Sequence, residues 1–291
     1  MIERLITFMN NIGLVIEGGA NRGIFTSGVL DFFKSQDLYL PYVVSVSVGT
    51  CNAIDYVSKQ IERTKECMIP NGRNIPPINW RHLKDKKTMI NLDMVFDEYP
   101  NKVVPFDYET YWKSNIISEY VVTNCLNGKS EYLSEKKDKN RLMNICRASC
   151  SMPYLSPVTM LDGVPYLDGG ISDAIPIRRA MSLGFEKNIV ILTREKGYNK
   201  KDSRIAKILS RIMYKDYPEL IKQLDNRIYR YNETIRLLDN LEQKNKVLII
   251  RPLKVLAGRM DNNVSHMNEF YKQGYNLAKE NLDKIYDFIY K

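Results

Sequence analysis

Five apolar residues in a row, Ile12 to Ile16, run directly into a glycine-rich turn, Gly18 to Gly23. The segment that follows, Ile24 to Lys34, places Ile24, Val29, Leu30 and Phe33 at helical spacing. An unbroken apolar run with β-branched residues suits a strand covered on both faces, as in a parallel sheet. The unit therefore reads strand, glycine turn, helix. It recurs at once: Val43 to Val46 is a second strand, a tight turn surrounds Ser47, and Val48 to Lys59 reads as a helix.

Beyond this pair the chain changes character. Residues from about Gln60 to Ser114 hold prolines at 70, 76, 77, 100 and 105, many charges and both tryptophans, with weak periodicity. They read as an insertion, or lid, that could cover a site. Ile116 to Asn124 is strand-like, and Met160 to Tyr166 carries an Asp162-Gly163 turn between apolar residues, which predicts a hairpin. Asn188 to Thr193 and Val247 to Arg251 are further strands, separated by a helical block from Ile205 to Leu241 broken near Pro218. A last helix is predicted from about Asn268 to Ile289. Strands alternating with helices imply an α/β fold, a three-layer α/β/α sandwich with a mainly parallel central sheet. One domain spanning residues 1–291, with the insertion at about 60–114, is the expected organisation.

Several function classes lose ground at this stage. The formal net charge of +9 favours an anionic partner, either a phospholipid surface or nucleic acid. No RNA-binding aromatic motif or zinc finger accompanies the charge, so nucleic acid is not expected. The basic runs Glu135 to Lys139 and Lys200 to Arg204 are interleaved with acids and read as solvated faces. The five cysteines (Cys51, Cys67, Cys125, Cys146 and Cys150) are scattered and odd in number, which suits free thiols. The N-terminal stretch lacks the features of a secretory signal, and no run approaches the roughly 20 apolar residues that span a bilayer. The expectation is a cytoplasmic protein, with peripheral contact to an anionic membrane left open.

Three local features carry chemistry. Ser45-Val46-Ser47-Val48-Gly49, between strand and helix, is a nucleophile elbow without its first glycine. Glu17-Gly18-Gly19-Ala20-Asn21-Arg22-Gly23 sets several unobstructed N–H groups at a helix start, which is how an oxyanion site is built. The loop lacks the Lys-Ser/Thr ending and the spacing of a nucleotide-binding turn. Arg22 is expected to brace the loop, with attraction of an anionic head group as the alternative. Asp168-Gly169-Gly170 follows the hairpin and supplies a carboxylate that could serve as base for Ser47. The chain has only two histidines, His82 and His266. His82 lies in the charged insertion and reads as surface or structural. Ser47, Asp168 and His266 stand in the chain order of an α/β-hydrolase triad, but the elbow follows only the second strand, early for that fold.

The glycine loop, serine elbow and Asp-Gly-Gly motif, in this order, resemble the patatin-like phospholipase family in its bacterial form. Arg147-Ala148-Ser149 through Pro157-Val158 is similar to the approach to that family's aspartate, and Asn52 matches an asparagine often found after the elbow. The resemblance implies a catalytic Ser47–Asp168 dyad without histidine and an oxyanion hole at Gly18, Gly19 and Ala20. Arg22, Gly23, Gly49, Gly169 and Gly170 would be supporting residues. It implies hydrolysis of acyl esters in phospholipids or other lipids, with no metal and no cofactor. Ala20, Ser45 and Val48 depart from the family pattern toward bulk, and Asp173 stands where asparagine is common. The alternatives are a catalytically silent lipid-binding scaffold of the same fold, or an esterase or thioesterase for small acyl substrates.

Lipid access has one candidate. Ile205, Ile208, Leu209, Ile212 and Met213 form an apolar stripe flanked by Arg204, Lys207, Arg211 and Lys215. The ordinary outcome for such a stripe is packing on the domain core with the cations in water. The other is an in-plane helix on an anionic membrane.

Overall fold

Side chains of β1 (Ile12–Ile16) alternate between two apolar layers, Leu14 and Ile16 on one face and Val15 on the other, so both faces of the strand are covered. The computed structural model describes residues 11–69, 77–79, 81–85 and 88–291; most of the N-terminal stretch, prolines 70 and 76 and Trp80 lie outside them. After β1 come α1 (Gly23–Ser35), β2 (Tyr42–Val46) and α2 (Val48–Val57). The insertion contributes α3 (Arg63–Met68), α4 (His82–Asp85), a wide-turn helix Met94–Val103 and α5 (Tyr108–Lys113). Next follow β3 (Ile117–Asn124), β4 (Ser130–Leu133), α6 (Lys139–Ser149), β5 (Thr159–Leu161), β6 (Val164–Asp168) and α7 (Ile177–Ser182). The chain closes with β7 (Lys187–Ile191), α8 (Arg204–Met213), α9 (Pro218–Gln243), β8 (Val247–Ile250), α10 (Val264–Glu280) and α11 (Leu282–Tyr290).

The eight strands form one sheet in the order β5-β6-β3-β2-β1-β7-β8, with β4 also paired to β3. Strands β3, β2, β1, β7 and β8 are mutually parallel, and β4, β5 and β6 are antiparallel additions. The three-layer α/β/α sandwich expected from the sequence is therefore present. The β5–β6 hairpin turns at Asp162 and Gly163, with φ of 51° and 78°, as two left-handed positions of a tight turn require.

Two elements are not legible in the residue pattern, β4 and α6. The run Glu135 to Lys139, expected as a solvated face, instead starts α6: Asp138 caps the helix by accepting from the Asn140 and Arg141 amides at 2.8 and 3.1 Å. Arg147 on α6 reaches into the insertion and pairs with Asp93 at 2.8 Å and Asp97 at 2.7 Å.

The apolar stripe of α8 contradicts the core-packing expectation. Ile205, Ile208 and Ile212 are 71%, 60% and 66% exposed. The inward face is the small, polar one, held where the Tyr154 hydroxyl meets Ser210 Oγ at 2.6 Å and the Ala206 carbonyl at 3.2 Å.

On the opposite face of the sheet, α1 and α10 approach closely. A Cβ on Gly28 would lie 2.1 Å from the Tyr271 carbonyl oxygen, and one on Gly274 would lie 2.1 Å from that of Phe25. The Phe25 and Phe270 rings meet beside this crossing in a tilted contact, their centroids 5.4 Å apart. Gly28→Ala and Gly274→Ala should each lower unfolding free energy by about 1–3 kcal/mol, the overpacking cost exceeding the helix-propensity gain of about 1 kcal/mol. Gly258→Ala, where only Asp261 Cβ comes within 4 Å, should change it by less than about 0.5 kcal/mol. Urea unfolding of the three variants checks this.

Candidate active site

Two strands end head to head on one edge of β3. β2 runs parallel to β3 and stops with Val46 opposite Val121; β6 runs antiparallel and stops with Asp168 opposite Val122. Because β4 occupies the other edge at Tyr120 to Thr123, β2 and β6 share the same edge. Ser47, which follows β2, and Asp168, which ends β6, are thereby brought together.

Ser47 takes φ 56° and ψ −131°, the strained elbow conformation that a side chain rarely adopts. Its amide donates to Ser149 Oγ at 2.9 Å, and that hydroxyl donates in turn to the Val121 carbonyl at 2.8 Å. The Ser149 hydroxyl thus fills the gap where the β2–β3 ladder ends. The Ser47 side chain lies beside the Asp168 carboxylate and favours its ionised form, and the Gly170 amide donates to Asp168 Oδ1 at 2.7 Å. Burial raises the proton affinity of Asp168, and Ser47 and the Gly170 amide pull the other way, leaving its pKa above the ordinary value of 3.8. Gly169 lies against β3, where a Cβ would sit 2.2 Å from the Val121 carbonyl oxygen.

The glycine loop lies at the C-terminal end of β1, between β2 and β7, where the strand order reverses direction. Glu17 braces it. One carboxylate oxygen accepts from the Thr193 amide at 2.5 Å and Thr193 Oγ1 at 3.0 Å, and the other accepts from the Tyr231 hydroxyl at 2.8 Å. The amides of Glu17, Asn21 and Arg22 are all used within the fold. Those of Gly18, Gly19 and Ala20 donate to no acceptor among the described residues. Gly18 abuts Ser47, since a Cβ there would lie 2.9 Å from Ser47 Cβ.

The departures from the family pattern have local accounts. Ala20 sits at φ 49°, a conformation that costs a side chain roughly 1–2 kcal/mol. Val48 is accommodated because Gly23 has no side chain: a Cβ there would lie 2.5 Å from Val48 Cγ1. Asn52 ties α2 to the loop through the Gly23 carbonyl at 3.1 Å. The Ser45 hydroxyl is buried and finds no partner among the described residues. Asp173 accepts from the Tyr132 hydroxyl at 2.8 Å, and burial pushes its pKa up to about 6. Gly49 packs on β1, with a Cβ position 2.8 Å from Ile16 Cγ2.

Ser47, Ala20 and Met152 stand where two cavities meet. The first is apolar and is walled by the insertion through Met68, Ile78, Ile90, Leu92, Phe96 and Tyr99. Cys51, Cys67 and Cys150 also line it; burial pushes the Cys67 thiol up to about 12, so it behaves as an apolar group. The second is lined by Arg22, Arg194, Lys200, Lys201, Arg227 and Arg259 as well as Ser47 and Asp168. Of these cations only Arg22 was singled out by sequence. Lys200 and Lys201 come from the run expected to be a solvated face.

Arg22 contributes less bracing than expected, its Nη2 reaching Thr193 Oγ1 at 3.5 Å. Neither histidine lines either cavity. His266 lies in the first turn of α10, its amide donating to the Asn263 cap at 3.1 Å and its ring pairing with Asp261 at 3.0 Å, with half its side chain exposed. Among the described residues no group of three His, Cys, Asp or Glu side chains could hold a metal. No helix there is long and apolar enough to cross a membrane.

Comparison with known proteins agrees with this geometry. Over 198 residues the chain is 34% identical to the uncharacterized protein YjjU of Escherichia coli (strain K12), covering 62% of this chain and 52% of that protein. The chain thus spans about half the length of that relative. The fold is similar to that of VipD from Legionella pneumophila, with a TM-score of 0.50 at 13% identity, over 94% of this chain and 67% of VipD. A domain of unknown function (DUF6363) matches residues 217–290, which supply α9, β8, α10 and α11. The family described as patatin-like phospholipase matches residues 14–181, a span that holds the glycine loop, the elbow and Asp168. The chain belongs to the patatin-like phospholipase family.

Proposed function

We propose that the chain is a serine lipid acyl hydrolase in which Ser47 is the nucleophile and Asp168 its only proton acceptor. The observation that carries this reading is Ser47, held on a strained elbow beside the buried Asp168 carboxylate, with no histidine lining either cavity. Asp168 takes the hydroxyl proton as Ser47 Oγ attacks the ester carbonyl. The N–H groups of Gly18, Gly19 and Ala20 are the donors for the oxyanion, and one such donor is worth roughly 3–4 kcal/mol. Collapse breaks the ester bond, the leaving alcohol takes the proton from Asp168, and an acyl-Ser47 ester remains. Water attacks this ester with Asp168 again as base, and the fatty acid leaves. The apolar cavity has the lining an acyl chain requires, and residues 60–114 act as the lid over it.

Lipid is reached, in this reading, by peripheral contact of α8 with an anionic membrane surface. Its exposed isoleucines face outward, and Arg204, Lys207, Arg211 and Lys215 flank them.

A fluorophosphonate probe should label the wild type and His266→Gln, and fail to label Ser47→Ala. Asp168→Asn should lose about 10³-fold or more in ester hydrolysis. Labelling of Ser47→Ala at the wild-type rate would sink the assignment. Because folding raises the pKa of Asp168, its favourable contribution is full below about 3.8 and is lost as pH rises through the folded value. Asp168→Asn should therefore melt higher than wild type at pH 7, by a margin that shrinks toward pH 4; melting curves across that range test it. Ile208→Glu with Ile212→Glu should cut binding to phosphatidylglycerol vesicles about tenfold or more in sedimentation assays, with a Tm close to wild type.

A further inference from the structure

The cationic cavity contains more positive charge than the fold uses. Arg22 is only 5% exposed, yet its Nε and Nη1 are buried without a hydrogen-bond partner among the described residues, as is Nε of Arg194. None of Arg22, Arg194, Lys200, Lys201, Arg227 and Arg259 forms an ion pair with a described carboxylate. The nearby acids are committed elsewhere, Glu17 to Thr193 and Tyr231, and Asp168 to Ser47 and Gly170. A buried cation without an anionic partner is costly, and four segments of chain gather half-buried Arg194, Lys200 and Arg227 and exposed Lys201 and Arg259 around buried Arg22. Their mutual repulsion registers on Lys200, whose ammonium is pushed down to about 7, first by burial and then by Arg259, Arg227 and Arg22 against the pull of Glu17.

We propose that this cavity seats a phosphate-bearing head group, so that the substrate is an anionic acyl-glycerol phosphate whose ester lies at Ser47 and whose chain enters the apolar cavity. The inference rests on the hydrolase reading above. A phosphomonoester offers acceptor oxygens to the unpartnered guanidinium N–H groups of Arg22 and Arg194. A zwitterionic choline head is disfavoured for a second reason. The rings that could receive a quaternary ammonium are already covered by protein cations: Tyr198 by Arg194 at 4.2 Å, Tyr231 by Lys200 at 3.6 Å and Tyr154 by Arg227 at 5.9 Å. The two cavities meet at the nucleophile, which ties head and chain to one molecule.

The test compares kcat/KM for 1-oleoyl lysophosphatidate, 1-oleoyl lysophosphatidylcholine and 1-monooleoylglycerol, and measures calorimetric binding of the two lysolipids to Ser47→Ala. Lysophosphatidate should exceed lysophosphatidylcholine by at least about tenfold, with Arg194→Gln and Arg259→Gln each reducing that ratio about fivefold or more. These half-buried and exposed positions keep the test informative if Arg22→Gln fails to fold. Equal rates for the three esters would overturn the head-group assignment while leaving the hydrolase standing. If no ester is turned over, the hydrolase reading fails, and binding to Ser47→Ala decides. A preference for lysophosphatidate that Arg259→Gln weakens supports the subsite, and equal affinities overturn it. Glycerol 3-phosphate should compete at least about tenfold more weakly than lysophosphatidate, since it brings no chain. Equal competition would identify a free phosphate site and overturn the lipid.

Discussion

The candidate site depends on where two strands stop. β3 offers one edge to both β2 and β6, and the ends of those strands fall one residue apart on it, at Val121 and Val122. Register in a sheet is set in whole residues, and a slip of one would turn each side chain to the other face. The meeting of Ser47 with Asp168 is thus fixed by backbone pairing rather than by flexible side chains. Buried strands on a rigid sheet are the setting in which a strained elbow can be maintained, because the surrounding structure over-determines it.

Around that junction the fold separates two environments that would be incompatible in one cavity. On the insertion side the lining is mostly apolar, and its one guanidinium, Arg63, is paired with Asp55. On the side of α9 and the loop after β7, cations accumulate without ion-pair partners among the described carboxylates. The two share little more than Ser47, Ala20 and Met152. A group placed at Ser47 therefore experiences a steep change in polarity across a few ångströms, which orients an amphiphile without the need for many specific contacts.

The strand, glycine turn and helix units near the N-terminus were legible because their signals are local: β1 spans the residues its apolar run marks, and the Asp162-Gly163 turn has the left-handed geometry its residue types favour. The glycine loop, elbow and Asp-Gly-Gly were legible as motifs. What was not legible is non-local. Ser149 lies in a segment marked only by family resemblance, and its hydrogen bond to the elbow exists because α6 carries it to the end of β2. Arg194, Lys200, Arg227 and Arg259 are unremarkable cations in sequence, gathered by topology from segments far apart. The stripe of α8 was read correctly as amphipathic and incorrectly as core-facing, since periodicity shows that a helix has two faces without showing which one the fold turns inward.

One hydroxyl deserves a last consideration. Ser149, which holds the Ser47 amide, lies two positions along α6 from Arg147, which holds Asp93 and Asp97 of the insertion. The wall of the apolar cavity and the backbone of the elbow are therefore attached to the same short lever. Remodelling the insertion to suit a longer or shorter chain cannot be done without loading the helix that sets the nucleophile. In the hydrolase proposed above, chain-length preference and catalytic alignment are a single mechanical variable rather than two that selection or a protein engineer could adjust independently.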